Sequence, residues 1–153
     1  MSPEEQLRHL GLELPPAPKP VASYVPAVQA GEFLFLSGIL PMREGKPVWT
    51  GKLGRELTVE QGVEAARLAC LNALAVIKAA LGSLDRVARI VRLGGHVASA
   101  EGFTQQPAVV NGASDLLVAV FGEAGRHARL ALGACELPLG AAVELELIFA
   151  IKT

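Results

Sequence analysis

The sequence predicts an α+β protein built on a mixed six-stranded sheet with two helices packed across one face. Three observations carry this expectation. Strand-like and helix-like stretches follow the order β-β-β, helix, β, helix, β, β. Residues 58–82 have the apolar periodicity and both end signals of one long helix. Residues 143–151 alternate, with Val143, Leu145, Leu147, Phe149 and Ile151 on one face and Glu144, Glu146, Ile148 and Ala150 on the other.

Taken in order, residues 3–12 predict a short peripheral helix, and Pro15-Pro16-Ala17-Pro18-Lys19-Pro20 an extended arm, since so many prolines fit neither a helix nor a central strand. Residues 1–20 thus decorate a domain covering 21–153. Residues 24–29 and 33–37 read as a hairpin closed around Ala30-Gly31-Glu32, and residues 41–54 hold a third strand and turns at Gly45 and Gly51. Thr58 with Gln61 forms a capping box. From there Val63, Ala66, Cys70, Ala73, Leu74, Ile77 and Leu81 keep helical spacing until Gly82. Residues 87–97 predict a strand in which Gly94-Gly95 marks a bulge or a close approach. A second helix over 106–121 tolerates Pro107 in its first turn and buries Val109, Ala113, Leu117, Val120 and Phe121. Residues 129–134 and 143–151 are the last strands, joined through Leu137-Pro138-Leu139-Gly140.

Composition bounds the function. The chain has 153 residues, 51% hydrophobic and 19% charged, which fits one domain with an apolar surplus that an oligomer would bury. Ile148 and Ala150 on the face away from the helices argue the same. Asn72 and Lys78 interrupt the most apolar segment, so no run approaches the roughly 18 residues of a membrane span. Residues 1–6 have neither the basic nor the apolar region of a secretory signal, and the expected location is cytoplasmic. A net charge of -1, with 14 scattered Lys and Arg, gives no footprint for nucleic acid, and Arg86, Arg89 and Arg92 read as a solvated edge. Cys70 and Cys135 are too few for a disulfide framework or a zinc site and read as buried free thiols. No metal or cofactor is expected.

One pair of residues carries chemistry. If Leu130 and Leu132 face the helices, Arg129 points outward with Ala131 and Gly133, onto the face that carries Glu144. An arginine there suits bidentate recognition of a carboxylate, and a nearby glutamate can orient or deprotonate water. A structural salt bridge between Arg129 and Glu144 at a subunit interface explains the same residues. Cys135 shares the parity of Arg129 and either faces that pocket or is a small buried residue. His96 is either a pocket base or a hydrogen-bonded structural histidine, and His127 beside Arg126 reads as a solvated loop residue.

The stretch His127-Ala128-Arg129-Leu130-Ala131 through Leu137-Pro138, Gly140 and Val143-Glu144-Leu145-Glu146 resembles the C-terminal signature of the Rid (YjgF) superfamily of imine deaminases, also called endoribonuclease L-PSP proteins. Tyr24, Ala27-Val28, Ala30-Gly31, Phe35-Leu36-Ser37-Gly38 and Pro41 look like its N-terminal hairpin. The resemblance implies a chorismate-mutase-like fold, a homotrimer with sites at subunit interfaces, and no cofactor. It also implies that Arg129 holds the carboxylate of a reactive enamine or imine and that Glu144 positions water. Tyr24, Ser37 and Gly38 would line the pocket, and Asn111 corresponds to a family asparagine. Leu130 stands where the family commonly has Ser or Thr, which points to a divergent branch.

Two functions follow as expectations: hydrolysis of a small carboxylate-bearing imine to keto acid and ammonia, or non-catalytic binding of a small acid by the same arginine in a sensor or chaperone. Ribonuclease activity fits less well, because the sequence offers no histidine pair and no basic groove with stacking aromatics.

Overall fold

The computed structural model describes residues 1–19 and 22–153. The expected boundary between arm and domain, at residues 20 and 21, lies outside the described residues. The chain belongs to the α+β class. Its described residues form three helices, α1 (Pro3–His9), α2 (Val59–Leu81) and α3 (Gln106–Phe121), and seven strands. The strands are β1 (Ala27–Ala30), β2 (Phe33–Leu36), β3 (Met42–Arg43), β4 (Lys46–Pro47), β5 (Val87–Ala98), β6 (Ala128–Ala134) and β7 (Val143–Ile151).

Five strands form the main sheet in the order β1-β2-β7-β5-β6, and β3 and β4 form a separate ribbon. The expectation of six strands in one sheet is corrected here, for a local reason. Glu44 and Gly45 both take positive φ, 53° and 78°. They close a two-residue loop between the pairs Arg43↔Lys46 and Met42↔Pro47, so the third segment folds on itself. Asn72 anchors this ribbon: it is buried, and its Nδ2 donates to the carbonyls of Leu40 and Met42, both at 3.0 Å.

The helical expectations hold closely. Thr58 and Gln61 form the reciprocal capping box, and Gly82 ends α2 in the left-handed region at φ 85°. Both helices pack on one sheet face over Leu74, Ile77, Val109, Leu117, Leu145, Leu147 and Phe149, all fully buried. Val63, expected in the buried stripe, is only half-buried, because α3 crosses over its backbone instead of its side chain. Gly112 permits that crossing: a Cβ there would collide with the Val63 carbonyl oxygen. Residues Gln106–Gly125 are long and apolar enough for a membrane span by length and composition, yet Val109, Val110, Ala113 and Leu117 in this segment belong to the core.

The first helix is shorter than expected. It is fixed by buried Leu7 and by Glu4, whose carboxylate accepts from the Leu84 backbone N–H and from Lys78, each at 3.3 Å. At the other end of β5, Gly94-Gly95 is a close approach and not a bulge. The register shifts lie earlier, between Val87/Arg89 and Ile90/Arg92. A Cβ on Gly94 would strike Glu146, and one on Gly95 would strike Val110 of α3.

Candidate functional site

Strand register decides which face each candidate occupies. Leu93, Gly95 and Val97 of β5 point toward the helices, and in the parallel β5–β6 pairing they lie opposite Arg129, Ala131 and Gly133. Arg129 is therefore on the helix side. Its Nη1 donates to Asn111 Oδ1 at 2.7 Å and to Ser114 Oγ at 3.3 Å, both on α3. The expected outward orientation is corrected: Leu130 and Leu132 occupy the open face, 41% and 44% exposed. β6 is an edge strand that buries little on either side, so burying the leucines was the wrong criterion there.

Glu144 does lie on the open face, as the alternation of β7 requires. It stands directly across from His96 on β5, and Glu146 stands across from Gly94. Gly38, His96, Leu137, Glu144, Leu145 and Glu146 line one cavity of about 190 Å³. Gly38 leaves the space that the Glu144 carboxylate fills, because any Cβ there would collide with Oε1. Burial raises the Glu144 pKa above the ordinary carboxylate value, with His96 opposing the shift and Glu146 adding to it. A carboxyl whose pKa is raised by burial, standing on a cavity wall, is placed to exchange a proton with a bound molecule.

The N-terminal candidates join this half. Ser37 Oγ donates to the Val25 carbonyl at 2.6 Å, which ties the segment carrying exposed Tyr24 to the strand end at Gly38. The chain thus gathers Glu144, His96, Gly38, Ser37 and Tyr24 around one end of the sheet. It gathers Arg129 and Asn111 at the β6 edge on the other side. No ion pair joins Arg129 to Glu144 among the described residues, so an intrachain salt bridge is not the reason for their presence.

Two further expectations change, those for Cys135 and His127. Cys135 is exposed and lines none of the described cavities, because β6 ends at Ala134 and its parity no longer applies. Cys70 is fully buried, and burial pushes its thiol up to about 12. His127 is not a solvated loop residue: its Nδ1 lies 2.6 Å from the Gly125 carbonyl and its Nε2 lies 2.9 Å from Ser114 Oγ. His96 makes no side-chain hydrogen bond among the described residues, so the pocket reading fits it better than the structural one. Of the arginine trio expected at a solvated edge, Arg86 and Arg89 are exposed as expected, and they also donate to the carbonyls of Leu81 and Arg126. The sequence reading missed Ser114 as a member of the site. Its i, i+3 spacing from Asn111 on α3 was the available signal.

The open face carries more than the site. Phe33 and Phe35 of β2, 43% and 42% exposed, pair with Ala150 and Ile148, and Val28 pairs with Phe35. Leu130 and Leu132 expose further apolar area on β6, separated from this patch by His96, Glu144 and Glu146.

Known proteins resemble this chain over nearly its whole length. A protein from Trypanosoma cruzi, Protein TCP17, is 49% identical over 141 residues, 92% of this chain and 88% of that one. A solved structure described as a putative endoribonuclease from Shewanella oneidensis superposes with TM-score 0.95 at 38% identity, covering 99% of this chain and 100% of that one. RidA from an Antarctic Psychrobacter superposes with TM-score 0.62 at 28% identity, covering 88% and 94%. The family model described as "YjgF/chorismate mutase-like, putative endoribonuclease" matches residues 4–151, and the chain belongs to that family.

Proposed function

We propose that this protein hydrolyses small carboxylate-bearing imines or enamines to the keto acid and ammonia, at sites shared between copies of a homotrimer. The observation that carries the reading is the state of Arg129. Asn111 and Ser114 hold its Nη1, while its Nε and Nη2 make no hydrogen bond among the described residues and no carboxylate pairs with it. A fixed guanidinium with two parallel donors unspent is suited to the fork of a carboxylate.

Sharing between copies follows from the faces. Arg129 stands on an edge strand toward the helices and Glu144 on the open face, so one chain does not direct both at one small molecule. A second copy docking its open face along the β6 edge of the first would bring the two halves together and cover the exposed apolar residues. Arg129 and Asn111 would then anchor the substrate carboxylate. Glu144, as the carboxylate, would take a proton from water attacking the C=N carbon and return it to the departing nitrogen, so that C=NH and H₂O give C=O and NH₃. Tyr24, Ser37 and Gly38 would wall the pocket.

Cleavage of RNA is less well supported. Glu144 and Glu146 on the cavity repel a phosphodiester. A carboxylate binder without turnover would use the same arginine, and kinetics separate the two. The test is ammonia release from imines generated in situ from several amino acids. Catalysed release that Arg129→Ala abolishes supports the reading. Unchanged release with every substrate eliminates it in favour of binding alone. Arg129→Ala should weaken keto-acid binding by about 2 to 4 kcal/mol, roughly 30- to 1000-fold, with the oligomer intact. Arg129→Lys should recover only part of that, since lysine keeps the charge and loses the planar fork.

A further inference from the structure

We infer that Ser114 and His127 are positioning residues for Arg129: they form a hydrogen-bonded relay from the Gly125 backbone to the guanidinium that fixes where its carboxylate-binding edge points. The inference rests on the reading of Arg129 as the carboxylate anchor.

The direction of every bond in the relay follows from its fixed end. The Gly125 carbonyl can only accept, and His127 Nδ1 lies 2.6 Å from it, so Nδ1 carries the proton. In neutral imidazole Nε2 is then a bare acceptor. Ser114 Oγ, 2.9 Å away, must donate its hydroxyl hydrogen there. The serine oxygen keeps its lone pairs for Arg129 Nη1, 3.3 Å away, while Asn111 Oδ1 takes the same nitrogen at 2.7 Å.

Each residue supplies something the next needs. A serine inside a helix ordinarily turns its hydroxyl back to the carbonyl one turn earlier, and His127 offers a competing acceptor that draws it toward the β6 edge instead. Asn111 and Ser114, one helical turn apart, together engage the two hydrogens of Nη1. The Nε and Nη2 hydrogens are left parallel and directed away from α3. Gly125 is itself fixed, since a Cβ on it would collide with the Leu117 carbonyl, so the relay starts from a packed point. Arg129 is an exposed side chain on an edge strand and would otherwise sample many rotamers. Holding it before the ligand arrives removes ordering cost from the binding step.

The experiment uses the intact oligomer, with sodium pyruvate as the binding probe in calorimetry and ammonia release for kinetics. Ser114→Ala and His127→Leu should each weaken pyruvate binding about 5- to 20-fold and raise KM in step, with kcat within about twofold. Water activation belongs to Glu144 on the other half. Ser114→Thr, which keeps the oxygen, should bind within about threefold of wild type. Nitrogen-15 spectra of the imidazole should show the neutral Nδ1–H tautomer of His127. Should Arg129→Ala abolish binding while Ser114→Ala and His127→Leu bind like wild type, the relay is overturned and the anchor reading survives. An Nε2–H tautomer, or Ser114→Thr binding as weakly as Ser114→Ala, also overturns the relay alone. Failure of the wild type to bind pyruvate, or tight binding by Arg129→Ala, overturns the anchor reading and the relay with it.

Discussion

Replacing Gly38 by alanine adds one methyl group at the place where the open-face site has least room. A Cβ built there falls on Glu144 Oε1, with the carboxyl carbon at 3.2 Å and Cγ at 3.5 Å. Gly38 is not among the residues at positive φ, so alanine brings no backbone strain. The atom it strikes is the end of a flexible side chain, so the fold can respond by swinging the carboxylate aside. We therefore expect a stability change within about 1 kcal/mol, including the small gain from restricting the unfolded chain. Activity should respond differently. Displacing a water-positioning oxygen by about 1 Å costs on the order of 10²-fold in rate. The assay is ammonia release from in situ imines, paired with thermal melts and sedimentation of the variant. A variant that melts like wild type and loses about 10²-fold in kcat agrees with Glu144 as the water-positioning group. Activity within threefold of wild type, with the fold intact, would refute the assignment of the Glu144 oxygen to the reacting centre.

Three other outcomes follow. Leu74→Ala, at a fully buried position of α2, should cost about 2 to 5 kcal/mol in urea denaturation, and a loss under about 0.5 kcal/mol would show that the site collapses without a cavity. The raised pKa of Glu144 means that the folded protein holds this proton more tightly than the unfolded chain does. Stability should therefore fall as pH rises from the unfolded carboxylate pKa through the folded one, and Glu144→Gln should flatten that fall. Iodoacetamide should modify exposed Cys135 and spare Cys70, whose buried thiol titrates near 12, with mass spectrometry as the readout.

What the sequence made legible was whatever the fold resolves locally. The capping box at Thr58, the stop at Gly82 and the alternation of β7 each record a requirement that the segment satisfies within itself or against the core. The placement of Glu144 came from that alternation and held. Arg129 was misplaced because β6 answers to no core. Its leucines face outward from a single chain, and its small residues Ala131 and Gly133 lie under α3, the reverse of the rule that larger apolar residues mark the inner face. The strand register against β5 resolves this, and register is a long-range property. The division of 41–54 into a ribbon hinged on Glu44 adopting positive φ, which its residue type does not announce. Asn111 was read from family resemblance, and the structure places its Oδ1 2.7 Å from Arg129 Nη1. Ser114 and His127 carry no motif and became visible only through their geometry.

In the proposed function, one reacting site takes Arg129 from one copy and Glu144 from another. Complementation between two inactive variants tests it most directly. Arg129→Ala and Glu144→Gln, each alone, should show no catalysed ammonia release. Co-expressed in equal amounts and purified as mixed oligomers, they should regain about a quarter of the wild-type rate, because in a cyclic assembly with one arginine and one glutamate per interface about a quarter of interfaces receive both native residues. Mixed oligomers as inactive as the parents would contradict the claim and return both residues to a site within a single chain.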